Sequence, residues 1–522
     1  MGLKKASLVL LAWTSVFVSY AQTYEVFDKD LKLKFRVEYD QINVLGEAVR
    51  ISTVNNELKL LSREYKPYFD LKANQVIAYD QPWIVVKGNE GMGAFHEYGI
   101  EVFPTTYDDI QTYFTRVLAK KGNRYFVYDH ATKQTKQIGV FEEAFMALNG
   151  QVVAKNSQGY FLPLSSNPDR SFQNITQVNE NFLFVQQPTG YGLINREGDY
   201  VLEPVIDRLE HLNGDYFFGY DGNQYMLIRG REGKADIRYT SYHKITVEND
   251  VILEYIHGKL RRVMNYDGIL LDQVGMEEVT SVGEKHYNVR LRDAKIGLLG
   301  PKGWEVSPVS QVDKILPGSE GLYPAYKSGK VGFIDKQGRW VVQPSYDQAG
   351  QFNQGKAAVR SGSRWAFINA QGETLTDFRF DQGQGFVQGV AIVQDQGLFN
   401  LLDSNGQLLF EHGFDRIFPT EGNYYLTERD GLLGLLAPSG KVIAETAFQE
   451  IRREEFDRII ARQGDKFGIL NEDGEFLLPL YYRNIIFDQG SQQILAEDSY
   501  QFQVEDAATA APSTQGRKRK GS

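Results

Sequence analysis

The sequence predicts an all-β protein: a tandem array of about twelve units of ~34 residues, each made of three short strands. Three observations lead there. Gly198, Gly233, Gly268, Gly303 and Gly338 are spaced by 35 residues, and Gly372, Gly406, Gly440 and Gly474 continue at 34. Before most of them stands a short apolar run, as in Tyr191-Gly192-Leu193-Ile194, Val331-Gly332-Phe333-Ile334, Leu433-Gly434-Leu435-Leu436 and Phe467-Gly468-Ile469-Leu470. Such runs have the length and composition of buried strands. No unit carries apolar residues at helical spacing over ten residues, which sets helical solenoids of similar period aside.

In chain order, residues 1–21 read as a signal peptide. Lys4 and Lys5 form a positive start, Ala6 to Tyr20 is almost uncharged, and Ser19-Tyr20-Ala21 places small residues at −3 and −1 of a cleavage site. The apolar run is shorter than the ~20 residues that span a bilayer. No Cys follows it to take a lipid, and no second apolar stretch of spanning length occurs downstream. The expected mature protein is exported, to the periplasm, outer surface or medium, without a transmembrane segment. Residues 22–80 read as a divergent N-terminal β cap, with Tyr39-Asp40-Gln41-Ile42 and Phe69-Asp70-Leu71 as faint repeat marks. The regular array is expected over 81–490. Residues 491–522 form a C-terminal segment, disordered from about 507, ending in the basic Arg517-Lys518-Arg519-Lys520.

Within a unit, polar tripeptides such as Arg196-Glu197-Gly198 and Lys336-Gln337-Gly338 read as tight turns in which glycine supplies a positive φ. A second landmark places a polar residue two before an apolar one: Asp207/Leu209, Asp313/Ile315, Asp347/Ala349, Asp415/Ile417, Gln449/Ile451. Three strands of four or five residues fill the unit, whereas propeller blades have four strands and usually ~40 residues or more. An open β-repeat superhelix is therefore the favoured architecture, with two fused β-propellers as the alternative.

The unit Gly329-Lys330-Val331-Gly332-Phe333-Ile334-Asp335-Lys336-Gln337-Gly338, followed by Val341-Val342-Gln343-Pro344-Ser345-Tyr346-Asp347, resembles the WG repeat proteins. The defining Trp survives once, as Trp365, where Ala366 replaces the glycine; elsewhere Tyr191, Ile296, Val331, Phe399, Leu433 and Phe467 take its place. The resemblance implies an all-β repeat module with no shared enzymatic activity.

Composition narrows the chemistry. With no Cys there is no disulfide, thiolate metal site or cysteine nucleophile, and a net charge of −10 argues against a nucleic-acid partner bound through a basic surface. The seven histidines, His96, His130, His211, His243, His257, His286 and His412, never pair at i, i+2 or i+4, and no nucleophile elbow, P-loop or dinucleotide fingerprint is present. The recurring Asp is expected to cap a turn rather than ligate Ca²⁺. Trp304 and Trp340 fall on opposite faces by strand alternation, which breaks any aromatic row for sugars. No catalytic, cofactor-binding or metal-binding residue is assigned.

The expected function is that of an exported, non-catalytic interaction scaffold for a protein or an envelope polymer. A hydrolytic enzyme with a loop-built site and a structural envelope spacer are the alternatives. Binding is expected mainly over 290–490, through solvent-facing Tyr326, Arg360, Gln394, Glu428 and Arg462, with the basic tail inert. N-terminal sequencing of the exported protein should begin at Gln22; an intact Met1 would remove the signal-peptide assignment.

Overall fold

The computed structural model describes residues 22–499 apart from 48, 55 and 249–250; the expected signal peptide and basic tail lie outside the described residues. The chain forms fourteen small antiparallel sheets arranged as one propeller-like ring. We number the sheets in chain order, from sheet 1 (41–70), sheet 2 (75–107), sheet 3 (109–140) and sheet 4 (143–161) to sheet 13 (450–482). Sheet 14 closes the ring with strands from both ends of the chain, Asn484–Asp488, Gln493–Glu497, Gln22–Asp28 and Leu33–Tyr39.

The apolar runs explain the arrangement. The second and third strands of each sheet are buried on both faces, so successive side chains go to opposite neighbours. In sheet 9 (314–346), Phe333 packs toward sheet 10 (348–369), while Ile334 packs back toward sheet 8 (276–309). In sheet 13, Ile460 and Ile469 face sheet 14, while Ile459 and Leu470 face sheet 12 (416–448). One apolar cluster fills each of the fourteen junctions, including sheet 13 to 14 and sheet 14 to 1.

The all-β tandem array is as the spacing predicts; closure, strand number and unit count are not. Eleven of the sheets have four strands, and in the three-stranded sheets the fourth position survives as isolated bridges, such as Trp365↔Phe380 and Phe399↔Phe414. The fourth strand escaped the sequence reading because it is bulged. Val331 pairs with Tyr346 but Phe333 with Val342, so two extra residues, around Pro344, loop out of the ladder. The same step occurs at Tyr191/Leu193, Leu433/Leu435 and Phe467/Ile469, where Phe467 pairs with Tyr482 but Ile469 with Leu478, and it erases the alternation that marks a strand. Proline, which lacks an N–H, fits such a bulge at Pro204, Pro344 and Pro479. The bulge also explains the glycine of the apolar run: a Cβ on Gly332 would lie 2.3 Å from the Val342 carbonyl oxygen, and one on Gly192 2.5 Å from that of Leu202.

Residues 22–80, expected as a cap, instead supply half of sheet 14, all of sheet 1 and the first strand of sheet 2. The open superhelix is corrected by the ladder from Tyr24↔Glu497 to Asp28↔Gln493, which joins the two ends. An open array would leave two apolar sheet faces in water. At the closing junction six side chains, Tyr24, Val26, Ile42, Leu61, Tyr65 and Leu495, are buried. At about 1.5–3 kcal/mol each, exposing them costs on the order of 10 kcal/mol, comparable to the net stability of a whole domain. Two fused propellers would need packing between sheets far apart in sequence. Among the described residues, every apolar cluster joins chain neighbours or the closing pair.

The turns carry the recurring polar residues. Eight of the nine register glycines have φ between 76° and 156°, Gly233 being the exception. The residue ending the third strand caps the turn before each: Asp335 Oδ1 accepts from the N–H groups of Gln337 and Arg339, and Asn369, Asp403 and Asn471 repeat the pattern. The second landmark caps the hairpin between the second and third strands. Asp313, Asp347, Asp381 and Asp415 accept from the N–H groups of Ser328, Gly362, Gly397 and Asp430 at 2.6–3.0 Å, and Gln449 accepts from Gly464.

A buried ion pair locks the closing junction. Arg50 of sheet 1 forks onto Asp488 of sheet 14, with Nη2 2.7 Å from Oδ1, and Tyr65 Oη donates to Asp488 Oδ2 at 2.5 Å. Burial pushes the Asp488 carboxyl up, but hydrogen bonds from Arg50, Tyr65 and Ser491 outweigh it and hold it below the ordinary carboxylate range. A carboxyl depressed in the folded state contributes stability that is present above its unfolded value near 4 and lost as pH falls through the lowered folded value.

Two predictions follow from these contacts. Gly332→Ala should lower stability by about 1–3 kcal/mol, because the bulged carbonyl must shift, as read by urea unfolding. Asp488→Asn should cost about 3–5 kcal/mol by leaving Arg50 buried without its counter-charge, and should make the loss of stability below pH 4 shallower than in the parent. A parent-like midpoint for either variant would contradict its assignment.

Candidate functional site

Alternating strand direction gives the ring two faces. The turns after the first and third strands lie on one, here the turn face; the second-to-third hairpins and the crossovers between sheets lie on the other, the hairpin face. The residues expected to bind, Arg360, Gln394 and Arg462, end second strands beside the hairpin face and are half-buried. They hold their own hairpins: Arg360 Nη1 donates to Gly362 O, Gln394 Nε2 to Gly397 O and Arg462 Nη1 to Gly464 O, at 2.8–3.0 Å. Tyr326 and Glu428 are half-buried at the equivalent positions, so no freely exposed row forms. Trp304, Trp340 and Trp365 pack against the clusters between sheets.

The distinctive surface lies on the turn face of sheets 1–4, where the repeat is weakest in sequence. Trp83 opens the second strand of sheet 2, fully buried, and its Nε1 donates to Tyr113 O of sheet 3 at 2.7 Å. The indole meets two imidazoles edge-on: His96, its partner in the ladder, at 5.3 Å, and His130, just past the third strand of sheet 3, at 5.4 Å. The two imidazoles stack, centroids 5.2 Å apart and planes 17° from parallel. Sequence spacing could not reveal this pair, since 34 residues separate histidines that the packing of adjacent sheets brings together.

Above the pair, His96-Glu97-Tyr98-Gly99 forms the turn, with Gly99 at φ 80°. Glu97 ties sheet 2 to sheet 1. Its N–H donates to Pro82 O, its carboxylate accepts from Tyr79 Oη at 2.8 Å, and its carbonyl accepts from Tyr68 Oη of sheet 1 at 3.3 Å. Tyr98 N–H donates to His96 Nδ1 at 3.3 Å, which makes that nitrogen an acceptor. Burial, then the neighbouring His130, hold His96 below the ordinary imidazole range against the pull of Glu97.

These anchors leave apolar groups standing in solvent. Tyr98 is 68% exposed, Phe114 66%, Leu148 56% and Tyr68 51%. Phe114 tops the first turn of sheet 3. Tyr113 beside it lies under Gly150 of sheet 4, where a Cβ would meet the ring at 2.3 Å. Arg116 Nη1 donates to Gly150 O at 2.8 Å, fixing the turn that carries Leu148. Where sheets 5 and 9 have the turn pairs Arg196-Glu197 and Lys336-Gln337, sheet 2 has Glu97-Tyr98. That aromatic substitution in a turn position is the one sequence signal that marked the site.

On the same face a polar cleft of about 270 Å³ opens between sheets 5 (174–206) and 6 (208–241), lined by Asn181, Asn195, Arg196, Glu197, Asp215 and Glu232. Asn181 Nδ2 donates to Asp215 and Asn195 Nδ2 to Glu232 O. Gln151 of sheet 4 donates to Arg196 O, linking the cleft to the aromatic patch. Among the described residues no group of three His, Asp or Glu side chains is placed to hold a metal ion. The arrangement offers stacking and apolar contact beside hydrogen-bonding groups, which suits binding.

The model of the WG containing repeat family matches residues 191–218, 332–365 and 365–399. No curated protein matches the chain. Solved structures similar to it include a domain described as the extracellular part of a hybrid two component system of B. thetaiotaomicron, at 10% identity, TM-score 0.23, covering 83% of this chain and 71% of that one. PorZ, a surface component of the type-IX secretion system of Porphyromonas gingivalis, matches at 9% identity and TM-score 0.20 over 87% and 85%. BamB from Moraxella catarrhalis matches at 14% and 0.21 over 51% and 94%.

Proposed function

We propose that this ring of sheets, with its WG containing repeats, is an exported, non-catalytic binding platform for a protein or envelope polymer, and that the turn face of sheets 1–4 makes the contact. The observation that carries the reading is the set Tyr98, Phe114 and Leu148 on tightly anchored turns and Tyr68 on the last strand of sheet 1, four large side chains at least half exposed. Aromatic side chains on a rigid support are effective anchors, since they lose little conformational entropy on binding and bury much area. The polar cleft beside them supplies hydrogen-bonding groups at the rim. The ends of the described residues meet on the hairpin face, where Asp498 N–H donates to Thr23 O.

Closure decides how the proposal is tested. Removing whole units opens the ring, so the site must be mapped by single side chains. Mature protein on resin, incubated with envelope extract at pH 7.5, should recover its partner. The Tyr98→Ser/Phe114→Ser variant should recover at least tenfold less at unchanged thermal midpoint, while Arg360→Ser/Arg462→Ser recovers as much as the parent. Equal recovery by the aromatic variant would overturn the assignment of the contact.

A further inference from the structure

We propose that His96 and His130 form a pH-sensitive joint between sheets 2 and 3 that regulates the same turn face: with His96 neutral, the stack closes on Trp83 and holds the Tyr98 turn; protonation of His96 opens it. The inference rests on the reading of this face as a binding platform.

The geometry favours a neutral His96. His96 Nδ1 accepts the Tyr98 N–H, so a proton there breaks the bond that sets the exposed tyrosine. His130 Nδ1 is sealed from solvent without a hydrogen-bond partner. A charge on His96 therefore arises in a poorly solvated place, 5.2 Å from the other ring. The charged and titratable groups around the pair offer little compensation. From sheet 2, the Glu97 carboxylate is engaged by Tyr79 Oη. From sheet 3, Asp129 is paired with Arg116 at 3.4 Å and bonded to Thr132, and Tyr128 packs on Trp83. From sheet 1, Tyr68 binds the Glu97 carbonyl. Among the described residues neither His96 nor His130 has a carboxylate within ion-pair distance, unlike His286, which lies 2.9 Å from Glu305.

The direction follows. A histidine held below its ordinary value by burial contributes stability that is complete above pH ~6.5 and is lost as pH falls toward the lowered folded value. The patch is thus set for neutral surroundings and loosened by mild acid, with the change arising at the junction of sheets 2 and 3.

Trp83 reports the state directly, because a protonated imidazole quenches an adjacent indole. Emission of the full mature chain, titrated from pH 8 to 4.5, should show a reversible transition with its midpoint below 6.5. Trp83→Phe should remove it. His96→Gln/His130→Phe, which keeps a ring in the stack and titrates at neither position, should remove it with an unchanged circular dichroism spectrum. His130→Phe alone retains His96 and should shift the midpoint upward. Partner recovery by the parent should fall at least tenfold between pH 7.5 and 5.0, and should not fall in the double histidine variant. No transition in the parent, or one that survives in the double variant, overturns the joint; recovery independent of pH overturns its regulatory role. A transition that obeys these rules while Tyr98→Ser/Phe114→Ser still recovers the partner leaves the joint standing and removes the binding assignment instead.

Discussion

A sheet that is apolar on both faces has no end at which it can stop. That constraint governs this protein. Phe333 and Ile334, adjacent in sequence, serve different neighbours, and the same division recurs at Ile459 and Ile460. Each sheet is stable only between two others, so the array must either carry polar terminal units or close on itself. It closes, and the closing sheet combines two strands from each end of the chain. Sheet 14 is therefore the least local element of the fold, and it also holds a buried Arg–carboxylate fork, Arg50 with Asp488. An apolar seam favours closure without fixing its register strongly; a forked ion pair with a tyrosine donor has one geometry.

The repeat signature is the chemical trace of local backbone problems. Glycine in the apolar run makes room for a bulged carbonyl, proline occupies the bulge where no N–H is required, Asp or Asn caps the turn, and a second Asp caps the hairpin. With most recurring polar residues committed to backbone donors, few of them remain for ligand chemistry. The positions that repeat best therefore say least about function. The surface proposed for binding lies in sheets 1–4, where turn residues depart from the pattern and aromatic groups stand where other sheets carry charges. Expecting the most regular units to bind pointed to 290–490, but the candidate residues there are used to hold their own hairpins.

Histidines 96 and 130 illustrate the same division. Each looks isolated in sequence, one beside a turn glycine and one after a strand. Strand alternation sends successive side chains to opposite junctions, so His96, ending its strand, and His130, one position past the equivalent Asp129, face each other across the junction of sheets 2 and 3. At most junctions such pairs are aliphatic or aromatic; at this one they are titratable and packed on a buried tryptophan.

By itself the sequence determined the all-β class, the period, the turn positions and the turn-capping use of the recurring Asp. All of these are set within about 35 residues, by backbone φ at glycine, side-chain capping and the length of apolar runs. It did not show the fourth strand, because a two-residue bulge removes the alternation by which a strand is read, nor the count of fourteen, because the first units have lost their glycines. Closure, the Arg50–Asp488 fork and the Trp83–His96–His130 cluster were decided only in the tertiary structure. They join residues separated by 438, 13 and 34 positions, and such contacts depend on how many sheets fit around the ring and on which residues each junction brings together.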